Sequence, residues 1–375
     1  MQIKNNIEKV KLVHSGADYF SRLEYIIQEA KYEIHLQYYI FKNDTIGNKI
    51  LQELKKAAVR RVRIYILLDG FGSFSFSKDV IEELTKTGIH FRFFSPLLSS
   101  SSLYIGRRLH HKVVVADDQV VLIGGINIAD KYVGSKENAA WLDYSVQIND
   151  IKIAKKMQLL CRDLFFKKKY FFKRKIESVF NSGEETAVSI LQNDWLKSKN
   201  EIYNAYIDTF KHAEKEITIV GSYFLPGRRL NNAIKNAAKN KVKIRLILSG
   251  KSDVPLSRRA TNYIYSSLLT HNIELYEWNK TILHGKAAIV DHYWTTIGSF
   301  NLNNLSTYGS LEMNVEIKSI PFSNTYQAHL NDIISQSQRI TPKSLERKSI
   351  ISNLKNYLSY CASRLILLFI KQKEN

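Results

Sequence analysis

Cysteine, proline and glycine are all scarce in this chain, and no hydrophobic run is long. The two cysteines, Cys161 and Cys361, lie far apart and fit no metal-binding or redox spacing, which excludes a disulfide scaffold. Read as free thiols, they favour a reducing compartment. Five prolines and 16 glycines beside 45% hydrophobic residues exclude a disordered or low-complexity chain. No stretch reaches the roughly 20 apolar residues that a spanning helix needs. The longest approach, residues 365–370, is a short run between Arg364 and Lys371. The opening MQIKNNIEKVKLVHSG is polar and lacks the apolar centre of a signal peptide. The expectation is a protein that is soluble or peripheral, without a transmembrane helix. Acidic side chains are also few, 35 against 55 lysines and arginines, for a formal charge of +20. Such a balance implies an anionic partner, whether nucleic acid, an acidic membrane surface or a phosphorylated substrate. Charge alone does not choose among them.

What is present is a duplication. At 375 residues the chain has room for one large or two medium domains. Ala30-Lys31-Tyr32-Glu33-Ile34 leads into the strand-like HLQYYIF; Ala213-Glu214-Lys215-Glu216-Ile217 leads into TIVGSYFLP. A helical segment follows each (LQELKKAAVRRV and LNNAIKNAAKNKV), then a β-branched strand (RIYILLDG and KIRLILSG), then GIHFRFFSP or NIELYEW. Strands alternating with helices of this length indicate an α/β fold with a mixed sheet flanked by helices in each repeat. The organisation expected is a first repeat over 1–175, a polar linker over 176–195, a second repeat over 196–340 and a basic amphipathic tail over 341–375. The two repeats are expected to pack as one pseudo-twofold body.

The chemistry sits at the same point of both repeats. LHHKVVVADD carries His110, Lys112 and Asp117, followed by Gly124, Gly125 and Asn127; LHGKAAIVDHYWTTIGSFN carries His284, Lys286, Asp291, Gly298, Ser299 and Asn301. The spacing His-x-Lys-x4-Asp-x6-Gly-[Gly/Ser]-x-Asn is the same in each. A strand has period two, so the histidine and lysine share a face while Val113 and Val115 point the other way. One such motif could be a core histidine beside a snorkelling lysine; two copies in register argue for a paired site. One imidazole can attack phosphorus and a second can protonate the departing alkoxide. Lys112, Lys286, Asn127, Asn301 and Ser299 would hold the non-bridging oxygens. An attacking imidazole needs an acceptor on its other nitrogen, and Asp143 (in WLDY) and Glu312 (in SLEMN) are the candidates. Asp117 and Asp291 complete the motif and are expected to brace its turn. The half-sites are expected on edge strands. No metal cluster or cofactor is implied, because two lysines at the phosphate take the place of a divalent ion.

These residues resemble the phospholipase D superfamily over residues 19–317, and within it the bacterial cardiolipin synthases. YYIFKNDTIG, LLDGFGS, GGINIADKYVG, WLDYSVQI and GSFNLNNLS carry the likeness. The resemblance implies a phosphatidyltransferase working through a phosphohistidine, with His110 as nucleophile and His284 as acid and then base. Hydrolysis of phospholipids and a nuclease reading are the alternatives. Three departures from the usual pattern stand out: Gly125 replaces a frequent serine, His111 replaces a frequent arginine, and Asn303 and Leu305 replace the frequent Asp and Arg of the second motif. The absence of N-terminal membrane helices makes the chain similar to the short, peripheral type, on the cytoplasmic side of a bacterial cell membrane.

Two segments bear on the anionic partner. LFFKKKYFFKRK (164–175) interleaves basic and aromatic residues, suiting either stacked bases or a lipid interface through Phe165, Phe166, Phe171 and Phe172. In NLKNYLSYCASRLILLFIKQK, leucines, tyrosines and Ile366 recur around a helix with Lys355, Arg364, Lys371 and Lys373. A helix lying on an anionic phospholipid membrane accounts for that pattern better than nucleic-acid binding, with a docked terminal helix as the competing reading.

Overall fold

The computed structural model describes residues 9–96, 98–99, 102–103, 107–135, 137–167, 176–182, 184–194, 197–303, 306–307, 309–346 and 349–372. The first half begins β1 (Val10–Val13), α1 (Gly16–Glu29), β2 (Glu33–Tyr38), α2 (Thr45–Val59), β3 (Arg63–Asp69), α3 (Lys78–Lys86) and β4 (His90–Phe94). Three short strands follow: β5 (Leu98–Ser99), β6 (Ser102–Leu103) and β7 (Arg108–Leu109). Then come β8 (Lys112–Ala116), β9 (Val120–Gly124), β10 (Ser145–Ile148) and α4 (Ile151–Phe165). Polar N-caps set the helix starts: Ser15, Asp44 and Asp150 each accept a backbone N–H from three residues on.

The second half runs β11 (Ile176–Ser182), β12 (Glu184–Asp194), β13 (Lys199–Asn200), α5 (Glu201–Lys211), β14 (Glu216–Gly221), α6 (Arg228–Lys239) and β15 (Lys243–Lys251). It continues with α7 (Pro255–Leu269), β16 (Glu274–Ile282), β17 (Lys286–Val290), β18 (Trp294–Gly298), β19 (Ser310–Lys318) and α8 (Ile320–Ser335). β20 (Gln338–Ile340), α9 (Pro342–Glu346) and α10 (Ile350–Gln372) close the chain.

Among the described residues β5 and β6 pair apart, and two large sheets result, ordered β1-β10-β9-β8-β2-β3-β4 and β11-β12-β19-β18-β17-β14-β15-β16-β20. Their centres are the same. β8 is antiparallel to β9 and β2, while β2, β3 and β4 are parallel; β17 stands in that relation to β18 and β14, with β14, β15 and β16 parallel. The motif strands therefore lie mid-sheet, not at the edges as expected. KVVVA and KAAIV are buried at every position, as suits strands covered on both faces.

Alternation along these strands builds the layers. Val113 and Val115 join Ala287, Ile289, Ile297 and Val315 in a core between the sheets, closed by α4 and α8 through Met157 and Leu330. Val114 faces outward under α1 and α2, and Ala288 under α5 and α6. Residues 176–195, expected as a linker, instead include the β11–β12 hairpin, which extends the second sheet by pairing β12 with β19. β12 thus stands to β19 as β1 stands to β10.

In the basic-aromatic segment, α4 ends at Phe165, whose buried ring packs on Tyr65 at 5.2 Å. Phe171, Phe172 and the lysines around them lie outside the described residues. The tail helix α10 is docked along one side. Asn356 and Ser359 are buried, and Tyr263 of α7 meets the rings of Tyr357 and Tyr360 at 5.4 and 4.7 Å. Its other side leaves Ile351, Leu354, Leu358 and Leu365 exposed. Among the described residues no helix is long and apolar enough to cross a membrane.

Candidate active site

Each motif histidine sits just before a central strand and is tied by its backbone to the opposite repeat. β7 runs parallel to the start of β19, with His110 N donating to Leu311 O at 2.9 Å. In the other half-site His284 N donates to Leu142 O at 2.7 Å. The residue after each acceptor is a buried carboxylate. Hence the imidazole partners are crossed: His110 Nδ1 meets Glu312 Oε2 at 2.8 Å, and His284 Nδ1 meets Asp143 Oδ2 at 2.6 Å. Neither histidine is held by a carboxylate of its own repeat.

The lysines are symmetric too. Lys112 Nζ donates to His110 O at 2.8 Å, and Lys286 Nζ donates to His284 O. Both ammonium groups are almost wholly buried. Burial pushes Lys112 down to about 7 and Lys286 down to about 8, with Glu312 and Asp143 opposing the shift. Burial also holds both imidazoles neutral. His110 is lowered despite Glu312, and His284 falls to about 3 under burial and the charge of Lys286. The charges of Lys112 and Lys286 both reach His110, so the two half-sites share one electrostatic field. Burial pushes the Asp143 carboxyl up, but Lys286 and His284 outweigh it and leave the group below its ordinary value.

The half-sites differ in their surroundings. Ser299, expected at the phosphate, turns its hydroxyl onto Glu312 Oε2 at 2.5 Å and accepts from Met313 N. It braces the longer carboxylate. Opposite it, a Cβ at Gly125 would meet Asp143 Oδ1 at 2.2 Å, so a serine there has no room. Around His284 stand Tyr132, Trp141 and Tyr223, with ring centroids 5.7, 5.7 and 6.0 Å away. Tyr132 Oη lies 3.2 Å from His284 Nδ1, and Lys286 Nζ lies 2.9 Å from the same atom. Around His110 the ring of Tyr39 lies at 4.9 Å.

Other expected site residues make these contacts. Asn127 Oδ1 accepts from Ile40 N and its amide donates to Tyr132 Oη, while Asn301 Oδ1 accepts from the Ser222 hydroxyl. Asp117 and Asp291 stand at the far ends of their strands. Asp117 accepts the backbone N–H groups of Lys31, Tyr32 and Glu33; Asp291 accepts those of Glu214, Lys215 and Glu216. Neither aspartate faces the histidines. His111 is buried, with Nδ1 on Gln37 Oε1 at 3.1 Å. Sequence reasoning assigned no role to Tyr132, Trp141 or Asp69. Asp69 ends β3 and accepts Leu109 N at 2.8 Å, fixing the residue before His110. The signals were at hand in GGINIADKY, WLDY and LLDG.

Two stretches of the chain, residues 23–159 and 206–334, match the family described as cardiolipin synthase, PLD-like domain. The chain belongs to that family. It is 31% identical to cardiolipin synthase B of Shigella flexneri and of Escherichia coli K12, over 94% of this chain and 87% of theirs. The minor cardiolipin synthase of Bacillus subtilis is 28% identical over 91% of this chain and 85% of its own. Among solved structures, a phosphatidylserine synthase of Haemophilus influenzae superposes with a TM-score of 0.76 at 18% identity, covering 96% of this chain and 95% of the other. That likeness is one of fold.

Proposed function

We propose that this chain transfers a phosphatidyl group from one phospholipid to a hydroxyl of a second, such as phosphatidylglycerol, as a cardiolipin synthase. The observation that carries the reading is the crossed pair of buried histidine–carboxylate contacts, His110–Glu312 and His284–Asp143, beside two buried lysines. That the relatives are cardiolipin synthases supports the lipid substrate.

Each carboxylate takes up the Nδ1 side of its ring, so Nε2 is the nitrogen available to substrate. His110 Nδ1 meets only Glu312 among the described residues, which favours Nδ1–H and a lone pair on Nε2. His284 Nδ1 meets the Asp143 carboxylate, so a ring that takes up a proton as the substrate anion enters carries Nδ1–H toward Asp143 and Nε2–H toward the leaving oxygen, and is neutral again once it has given up the latter. In the first half-reaction His110 Nε2 bonds to phosphorus, the bond from phosphorus to the leaving oxygen breaks, and His284 gives that oxygen its proton. In the second, His284 takes the proton of the incoming hydroxyl, whose oxygen displaces His110. Lys112 and Lys286 bind the non-bridging oxygens, and the negative charge of the substrate favours their protonated forms. Asn127 and Asn301 keep the adjoining loops in shape, and Tyr132 positions His284. The exposed aliphatic stripe of α10 and the +20 charge support peripheral attachment to an anionic membrane.

The direct test incubates purified protein with phosphatidylglycerol. Cardiolipin and glycerol are the expected products. Phosphatidic acid alone would make water the acceptor, and DNA cleavage with no lipid turnover would sink the lipid reading.

A further inference from the structure

Away from the histidines, α10 roofs a cavity of about 620 Å³ over α6 and α7. Among the described residues two cations line it, Lys235 from α6 and Arg364 from α10, and no acidic residue does. Lys235 Nζ donates to the Ser267 hydroxyl at 2.7 Å. Arg364 donates to Pro226 O at 3.3 Å and lies over the Tyr360 ring at 5.3 Å. The partners of both cations are neutral. A guanidinium and an ammonium held by neutral acceptors in a part-enclosed space keep most of their attraction for an incoming anion.

The surface beside the cavity says what kind of anion. Ile351, Leu354, Leu358 and Leu365 are 67%, 56%, 57% and 54% exposed, and their spacing puts them on one stripe of α10. Arg364 belongs to the same helix but turns inward to Pro226. A helix seated with that stripe in a bilayer sinks roughly 5–10 Å into the boundary between headgroups and acyl chains. Arg364, reaching inward from the same helix, then lies within about a helix diameter, roughly 10–12 Å, of the lipid phosphates. A soluble nucleotide or a nucleic acid would gain nothing from the aliphatic stripe.

We propose that the cavity between α6, α7 and α10 binds the phosphate headgroup of an anionic phospholipid, at a second site distinct from the histidine pair. The idea rests on the reading of this chain as an enzyme at a lipid surface. Occupancy would fasten the tail helix to the second repeat. Through Leu225, which donates its backbone N–H to Leu302 O at 3.0 Å, it would also steady the loop that carries Asn301.

The test is flotation of the full chain with vesicles of phosphatidylcholine alone or mixed with phosphatidylserine. Replacing both cations (Lys235→Ala with Arg364→Ala) should weaken binding to the mixed vesicles about 30-fold, as two basic groups near an anionic surface imply. Binding to phosphatidylcholine and the melting temperature should stay as in the wild type. Leu354→Glu with Leu358→Glu should lose binding to both vesicle types. Wild-type binding of the cation variant to mixed vesicles would overturn the proposal. So would inorganic phosphate or glycerol phosphate abolishing that binding at low concentration, since the cavity would then take soluble phosphates. The wild-type chain's turnover of phosphatidylglycerol in detergent tests the enzyme reading separately, because it needs no vesicle.

Discussion

The burial of Lys112 and Lys286 is a cost to the fold. Each keeps its ammonium in a nearly dry site, satisfied in part by the carbonyl of its own histidine. A fold tolerates such a cost where the charge is needed for an incoming anion. The folded value of Lys112, about 7, lies below the roughly 10.4 of an unfolded lysine, so unfolding takes up a proton between those limits. The sign follows: this residue's penalty is full at and below pH 7 and fades as the pH rises toward 10. Lys112→Met should therefore be inactive yet more stable than the wild type, by a margin that shrinks between pH 7 and 9.5 in urea melts. A margin independent of pH would refute the buried-ammonium account. The same economy of space separates Gly125 from Ser299. Asp143 is short and leaves room only for glycine, whereas the longer Glu312 has a serine to lean on.

At the scale of elements, the aspartates of the motif belong to the turns. Asp117 and Asp291 have positive φ, as do Asp118 and His292 after them, which is the conformation a tight turn between twisted strands requires. From there each carboxylate gathers three N–H groups at the start of the neighbouring strand. Asp117→Ala should cost about 1–2 kcal/mol of stability, since the Glu33 N–H loses its carboxylate while the exposed Lys31 and Tyr32 N–H groups can turn to water. The folded fraction should nevertheless turn over near the wild-type rate; a large loss of kcat at full folding would return Asp117 to the chemistry. Local pattern made much of this level readable. The strand, helix, strand, strand order is written in period and propensity, and the bracing role follows from an aspartate at a strand end. Strand position was not readable, because pairing joins distant segments and buried five-residue strands look alike wherever they lie. For that reason the motif strands prove central, and 176–195 supplies a sheet-edge hairpin where a polar linker was expected.

At the scale of the molecule, duplication supplies two incomplete half-sites and the packing of the repeats completes both. Asp143 and Glu312 could be picked out of WLDY and SLEMN, but not their crossing, which is a property of how two repeats face each other. The tail shows the same limit. Its amphipathic pattern was legible, while the division into a side docked on α7 and a bare aliphatic side needed the neighbour in place. We propose that the crossed site works through a phosphohistidine on His110. Rapid acid quench and peptide mass spectrometry after mixing with phosphatidylglycerol test it most directly. A phosphatidyl adduct on the peptide carrying His110, absent in His110→Ala and strongly reduced in Glu312→Gln, is the predicted result. An adduct on His284, or none during turnover, would contradict it.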